Sequence, residues 1–252
     1  MRLDVFLVEK GLAPSRERAK ELIRNGQVLV NGTVRTKPAF ETAPDDEATV
    51  TGETLKYVSR GGLKLEKALE VFRPEIKGLV CMDIGASTGG FTDCLLQNGA
   101  AKVYAVDVGT GQLAESLLQD SRVVNREKTN VRYLEPEDFT EPIDFITADV
   151  SFISLKLVLP SVYRLLKDGG ACIVLIKPQF EAGKGNLNKK GVVTSEKIRE
   201  AVVKDITAFS ETLHFQPCGL VTSPIKGPEG NTEYLLYLKK AAPQTAPAEE
   251  PV

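Results

Sequence analysis

Apolar positions near the start of the chain recur at helical spacing. Leu3, Leu7 and Val8 fall on one face, and Ala19, Leu22 and Ile23 mark a second helix over Arg16 to Asn25. Ser15 is placed to cap that helix and Gly26 to end it. Gln27-Val28-Leu29-Val30-Asn31-Gly32-Thr33-Val34 reads as a strand, an Asn-Gly turn and the start of a second strand, and Ala48-Thr49-Val50 is able to pair back. Two short helices and a small sheet bury little core, so residues 1–60 predict a module that is mobile or fixed by a partner. The segment from Gly52 to Gly62 predicts the linker, and Leu63, Leu65, Leu69 and Phe72 predict an amphipathic helix that also carries Lys64 and Lys67.

Beyond residue 78 strand and helix patterns alternate. Strands are predicted at Leu79–Ile84, Lys102–Val106, 122–125, Asp144–Ala148, Ala171–Ile176, Phe215–Val221 and Glu233–Leu238. Helices are predicted at Phe91–Asn98, around 112–119, at Leu155–Leu166 closed by Asp168-Gly169-Gly170, and from a cap at Ser195 to about Leu213. Alternation of this kind implies an α/β fold: a mostly parallel sheet covered on both faces. The tail, 241–252, is rich in Ala, Pro and Glu and predicts disorder.

Composition narrows the function classes. No apolar run reaches the ~18 residues that span a bilayer, and the opening Met1-Arg2-Leu3-Asp4 does not resemble an export signal. Cytoplasmic residence is therefore expected, with Cys81, Cys94, Cys172 and Cys218 as buried small hydrophobes rather than disulfides or metal ligands. The single histidine, His214, leaves no His-based triad and little zinc chemistry, and no metal site is predicted. The net charge of -2 favours no polyanion by itself. Its distribution says more: residues 1–40 hold eight Lys/Arg against four Asp/Glu, a basic head on an acidic body.

The strand ending at Ile84 runs into Gly85-Ala-Ser87-Thr-Gly89-Gly90 and then a helix, a nucleotide-binding arrangement. Glycines let the turn approach a ligand, and the helix start offers free N–H groups. Asp107 ends the next strand, where a carboxylate accepts from both ribose hydroxyls. Ser87 occupies the middle glycine position of a dinucleotide fingerprint, and no Gly-Lys-Ser/Thr follows as in a P-loop. S-adenosylmethionine carries no pyrophosphate and does not need that fingerprint, and Asp83 is placed for a cationic group such as its ammonium. A glycine loop that only turns the chain is the plainer alternative.

Asp149 and Lys177 each end an apolar strand, at the edge where ligands of open parallel sheets bind. Lys64 lies on the helix before the sheet, and Glu233 opens the last strand. Singly, each also reads as an ordinary surface or strand-end charge. Together they suggest a lysine base beside a methyl donor, positioned by carboxylates. A free lysine, near ~10.4, is mostly protonated at neutral pH, so desolvation or nearby positive charge would have to favour the amine.

Two resemblances join these features. Arg2-Leu3-Asp4, Ser15-Arg16, Ala19, Gly26 and Val28-x-Val30-Asn31-Gly32 resemble the S4 RNA-binding domain over about residues 1–60. Residues 61–240 resemble the FtsJ-like ribose 2'-O-methyltransferases. With Ser59-Arg60-Gly61-Gly62-x-Lys64, Asp83-Ile-Gly-Ala-Ser-Thr-Gly-Gly-Phe91, Asp149-Val-Ser-Phe152 and Lys177-Pro-Gln-Phe180, the combination is similar to the TlyA family of bacterial rRNA methyltransferases, whose members often carry the label hemolysin A. The resemblance implies a Rossmann-like S-adenosylmethionine-dependent methyltransferase sheet behind a small α+β S4 domain. It implies a catalytic Lys-Asp-Lys-Glu set at Lys64, Asp149, Lys177 and Glu233, with Lys177 as the base toward a ribose 2'-hydroxyl. The cofactor would meet Asp83, Gly85, Ser87, Gly89, Gly90, Phe91, Asp107, Asn130 and Asp149. Asn130 enters through Thr129-Asn130-Val131-Arg132, which also matches a family stretch. The substrate implied is a cytidine of large-subunit rRNA, and in some members also of the small subunit.

The expected partner is thus rRNA in ribosomal subunits, without DNA or membrane. Arg2, Arg16, Arg18, Lys20 and Arg24 are the candidate phosphate contacts of the head; Lys184, Lys189 and Lys190 belong to a second basic stretch beside Lys177. Phe152 and Phe180 are placed to stack on a base or to pack their own loops. A lytic pore fits poorly, having neither a spanning helix nor a long amphipathic face. A NAD-dependent dehydrogenase would lack its glycine fingerprint. A non-catalytic rRNA-binding assembly factor is the serious rival, although all four charged positions are filled.

Overall fold

α1 (Leu3–Glu9) and α2 (Arg16–Arg24) bury the faces that their periodicity marks: Leu3, Phe6 and Leu7 pack with Ala19, Leu22 and Ile23 over Val28 and Val30. The structure is a computed structural model that describes residues 1–24, 26–51 and 56–241. Asn25 of the predicted second helix, residues 52–55 of the predicted linker and residues 242–252 of the predicted disordered tail lie outside the described residues. The chain divides into two units, Met1–Thr54 and Leu55–Val252.

In the first unit, β1 (Val28–Val30) pairs antiparallel with both β2 (Thr33–Val34) and β3 (Ala48–Val50). Asn31 and Gly32 both take positive φ, the geometry that joins two twisted strands through a two-residue turn. Ser15 Oγ accepts from Arg18 N at 3.2 Å, the expected N-terminal cap. Asp4 is fully buried and receives Arg2 Nε at 2.9 Å and Arg16 at 3.0 Å. The Arg2 hydrogen bond, with help from Arg16, holds its carboxyl down at about 2 against the opposing effect of burial.

The second unit opens with α3 (Gly61–Phe72), which starts two residues before the predicted Leu63, inside the expected linker. Gly62 is the reason: a Cβ there would stand 2.4 Å from the Tyr57 ring, so the first turn packs on Tyr57 only as glycine. Then follow β4 (Val80–Ile84), α4 (Gly90–Gln97), β5 (Lys102–Val106), α5 (Glu115–Leu118), β6 (Val123–Arg126), β7 (Ile143–Ala148), α6 (Leu159–Leu165), β8 (Leu166–Ile176), α7 (Pro178–Glu181), α8 (Glu196–Thr212), β9 (Phe215–Thr222) and β10 (Tyr234–Lys240).

The sheet order is β6-β5-β4-β7-β8-β10-β9. β4 to β8 run parallel, and β10 lies antiparallel between β8 and β9. The succession of strands reverses between the parallel neighbours β4 and β7, the point at which open α/β sheets hold ligands.

Successive strand residues enter opposite faces. Cys81, Val103, Phe145, Ile173 and Leu235 pack under α3 and α4 with Leu65, Leu69, Phe91 and Leu95. Their neighbours Met82, Tyr104, Ile146, Val174 and Leu236 pack under α6 and α8 with Leu159, Val162, Val202 and Ile206. Burial on both sides explains the unbroken apolar runs, each fully buried Val, Leu or Ile contributing about 1.5–3 kcal/mol before entropy is charged.

Five expectations are corrected. The helix predicted over Leu155–Leu166 is a 3-10 turn at Leu155–Leu157 followed by α6, with Pro160 in its first turn. Asp168-Gly169-Gly170 does not close that helix but lies within β8, where the pairing with β7 shifts register between Ile143 and Phe145 and Gly169 takes φ +74. The helix expected around 112–119 shrinks to α5, because Glu127 holds the preceding backbone in a turn by accepting from Gly111 N at 2.7 Å and Gln112 N at 2.8 Å. Cys81, Cys94 and Cys172 are buried as expected, whereas Cys218 is exposed on the edge strand β9. Glu233 stands one residue before β10 rather than inside it. Among the described residues no helix is long and apolar enough to cross a membrane.

Candidate active site

The C-terminal ends of β4, β5 and β7 surround a cavity of about 500 Å³, a size suited to a nucleoside-like ligand. Gly85, Ser87, Asp107, Gln112, Asn130 and Asp149 line it. Gly85 takes φ +81, and a Cβ there would lie 2.5 Å from the carbonyl oxygen of Asp149, so the β4 and β7 ends approach this closely only with glycine at that point. Asp107 accepts from Ser87 N at 2.8 Å on one oxygen and Gly109 N at 2.7 Å on the other. These bonds fix the carboxylate at the cavity wall and leave lone pairs for a ligand's hydroxyls. Asn130 accepts from Arg132 N at 3.1 Å and so shapes the opposite wall.

The remaining expected cofactor contacts stand behind the cavity. Asp83 is fully buried and does not line it; Thr92 Oγ1 donates to it at 2.7 Å and Thr147 Oγ1 at 3.0 Å. Burial pushes its carboxyl up to about 7 despite those two hydrogen bonds. Asp83 therefore ties β4 to α4 and β7 rather than meeting a ligand. Gly89 and Gly90 start α4, and Phe91 is buried in the core beneath it.

Lys64, Asp149, Lys177 and Glu233 come together from four separate parts of the chain. Lys64 Nζ lies 2.7 Å from Glu233 Oε2 and 3.7 Å from Asp149 Oδ2. Lys177 Nζ lies 2.5 Å from Asp149 Oδ1 and donates to Ser151 Oγ at 2.8 Å. Lys64 and Lys177 are 7% exposed and Glu233 is fully buried, so these charges are desolvated. They alternate in sign along the chain of contacts and sum to zero, the condition under which buried charges are tolerable. Asp149 belongs to both the cavity wall and this chain, which places the lysine pair beside whatever the cavity holds.

Three polar residues escaped the sequence reading. Ser151 receives Lys177; Gln179 donates to Glu233 at 3.0 Å; Glu127 orders the backbone of 111–112 at the cavity wall. The Gly111 N–H, then that of Gln112, holds the Glu127 carboxyl below the usual range. Ser151 and Gln179 stand within the two short motifs, but nothing in their type or spacing marks the contact, and Glu127 acts across a loop.

The phenyl ring of Phe152 is 91% exposed, on a residue with φ +63, and its centroid is 5.1 Å from that of Phe180. Lys184, Lys189 and Lys190 are exposed between α7 and α8. In the first unit Arg2 and Arg16 share Asp4, Lys20 pairs with Glu17 at 3.1 Å, Arg18 is half-buried, and Arg24 is exposed.

Residues 57–240 match the FtsJ-like methyltransferase family and residues 1–47 match the S4 domain. YqxC of Bacillus subtilis, named for rRNA methyltransferase activity, is 52% identical over 238 residues, covering 94% of this chain and 85% of its own. The 16S/23S rRNA (cytidine-2'-O)-methyltransferase TlyA of Mycobacterium tuberculosis is 44% identical over 239 residues, covering 94% and 89%. A solved structure from Streptococcus thermophilus that carries a hemolysin name superposes with a TM-score of 0.78 at 48% identity, covering 96% of this chain and 88% of that one. The chain belongs to the FtsJ-like methyltransferase family, in the TlyA group that joins an S4 domain to an S-adenosylmethionine-dependent methyltransferase domain.

Proposed function

We propose that this chain methylates the 2'-hydroxyl of a cytidine in ribosomal RNA, with Lys177 taking the hydroxyl proton. The observation that carries the reading is the double membership of Asp149, which lines the cavity and also holds Lys177 at 2.5 Å. The relative from Mycobacterium tuberculosis, named for 2'-O-methylation of cytidine in 16S and 23S rRNA, supports the substrate.

The cavity fits S-adenosylmethionine. Gly85 admits a close approach, Asp107 has acceptors for ribose hydroxyls, and Asn130 and Gln112 add amide groups to the wall. Bound there, the cofactor supplies a methyl group on a positively charged sulfur, electrophilic without further activation. With the methyl donor held there, Lys177 as the free amine would accept the proton of the 2'-hydroxyl that takes the methyl group. Asp149 and Ser151 hold Lys177 in place. Lys64, fixed between Glu233 and Asp149, adds positive charge beside the developing oxyanion. Phe152, exposed beside Phe180, offers a stacking face for the base of the target nucleotide. The S4-like head, through Arg2, Arg16, Arg18, Lys20 and Arg24, and the stretch at Lys184, Lys189 and Lys190 supply phosphate contacts to rRNA of the large subunit, and of the small subunit if the chain shares that relative's range.

Purified protein with radiolabelled S-adenosylmethionine and large or small ribosomal subunits from a strain lacking the gene tests the proposal. Label that survives alkaline hydrolysis as a protected dinucleotide, and vanishes with Lys177→Ala, is the expected result. Tight rRNA binding without transfer to either subunit would overturn it and favour an assembly factor that has lost the chemistry.

A further inference from the structure

Gln179 stands two residues after Lys177, in the first turn of α7, and the reaction scheme gives it no part. Its amide nitrogen donates to Glu233 Oε1 at 3.0 Å. Its amide oxygen is buried and has no hydrogen-bond partner among the described residues. The assignment of N and O is fixed by the neighbour: a flipped amide would set its oxygen against a carboxylate oxygen.

Glu233 is fully buried, and its two oxygens have separate donors, Lys64 at 2.7 Å on Oε2 and Gln179 on Oε1. Gly227 closes the remaining side, for a Cβ there would stand 2.1 Å from Oε1. Lys64 alone therefore leaves one buried oxygen of the carboxylate without a donor, free to rotate toward the lysine with both oxygens. An apolar side chain at position 179 would spare the cost of the orphan amide oxygen, and a glutamate would repel Glu233. A neutral donor of this length meets the need of Glu233, and the unpaired oxygen is the accompanying cost.

We infer that Gln179 is a positioning residue for methyl transfer: it holds the Glu233 carboxylate in the one orientation that sets Lys64 between Glu233 and Asp149, beside Lys177. The inference rests on the proposed function for its kinetic consequences, but the orientation of Glu233 can be read without them. The charged groups around this point are Lys64 from α3, Asp83 from β4, Asp149 after β7, Lys177 after β8, Glu181 from α7 and Glu233 before β10. Asp83 is committed to Thr92 and Thr147, and Glu181 to Ser154 and Leu155 N, so Lys64, Asp149, Lys177 and Glu233 are the groups that respond to a charge placed at 179.

The test uses the full chain with Gln179→Met, Gln179→Glu, Glu233→Gln and the double variant Gln179→Met/Glu233→Gln. Gln179→Met is expected to lower kcat roughly tenfold through misplacement, with S-adenosylmethionine affinity within about threefold of the parent, since Gln179 does not line the cavity. The double variant should be no slower than Glu233→Gln alone, because both substitutions remove the same contact. In Gln179→Glu a second carboxylate faces Glu233 Oε1, so the Glu233 carboxylate should be displaced and kcat should fall at least as far as in Gln179→Met. A crystal structure of Gln179→Met should show the Glu233 carboxylate turned from its parent orientation. An unmoved carboxylate, or additive losses in the double variant, would overturn the inference. If the parent protein transfers no methyl group, the proposed function fails, and the crystal structure still decides whether Gln179 positions Glu233.

Discussion

Lys177 Nζ and Asp149 Oδ1 stand 2.5 Å apart, bridging the ends of two adjacent parallel strands at the mouth of the ligand cavity. Register and parity bring them to one face: Ala148 aligns with Val174, so Asp149 follows level with Leu175, and Lys177 lies two residues further along the neighbouring strand with the same parity. Asp149 and Ser151 fix the position of Lys177, which acts as a base only as the free amine.

Substitution at Lys177 should therefore separate charge from proton acceptance. Lys177→Ala is expected to lower kcat by about 10²–10⁴. Lys177→Arg keeps the ion pair with Asp149 but stays protonated at every working pH, so it should not rescue. Recovery of more than a tenth of parental kcat in Lys177→Arg would show that Lys177 serves only as a cation.

Asp83 carries a pH dependence of folding. Burial raises its folded pKa to about 7, above the 3.8 of an unhindered aspartate, so the folded state binds the extra proton between those values. Its contribution to stability is fully present below the unfolded pKa and is lost as pH rises through about 7. Asp83→Asn stays neutral throughout. Relative to the parent it should gain stability steadily from pH 4 to pH 7, by on the order of a few kcal/mol, and then level off. Urea unfolding of both proteins at several pH values measures this; a difference independent of pH would refute it.

Much of the methyltransferase unit is legible in sequence because two-sided burial leaves unbroken apolar strands, and the first charged residue after each strand falls at the ligand edge. Asp107, Asp149 and Lys177 were found that way. Lys64 and Glu233, which lie on a helix and before an antiparallel strand, stand out less by their own pattern, and the family resemblance is what implies a catalytic set that includes them. Ser151, Gln179 and Glu127 act through single hydrogen bonds to residues far along the chain, and no local pattern encodes such partners. Asp83 shows the opposite failure: its place before the glycine loop suggested a ligand contact, but the parity of β4 turns its side chain toward Thr92 and Thr147. The break in β8 at Asp168-Gly169-Gly170 was misread because glycines that end a helix and glycines that open a bulge look alike in sequence.

Glu127 offers a test of the cavity wall. Its carboxylate orders Gly111 and Gln112, and Gln112 lines the cavity. Glu127→Ala should raise the Kd for S-adenosylmethionine about three- to tenfold, because the charge-assisted bonds that order Gly111 and Gln112 are lost. At saturating cofactor kcat should stay within about twofold, since Glu127 touches neither lysine. Calorimetric titration gives the first quantity and initial rates the second; equal losses in both would place Glu127 in the chemistry instead.

Phe152 separates substrate recognition from catalysis. Its side chain is 91% exposed and held at positive φ, with Phe180 as its ring neighbour, so it contributes little to the core. An aromatic face in that position gains its partner only when a base arrives, and base stacking is worth about 1–3 kcal/mol. Phe152→Ala should leave the melting temperature within about 2 °C, or raise it as left-handed strain is exchanged for a smaller side chain. Cofactor affinity should change less than about threefold, while kcat/KM for the ribosomal subunit falls about tenfold or more. Phe152→Trp should retain most of that value and Phe152→Leu should not, because leucine fills space but presents no π face. If leucine serves as well as phenylalanine, the ring packs its own loop and stacks on nothing.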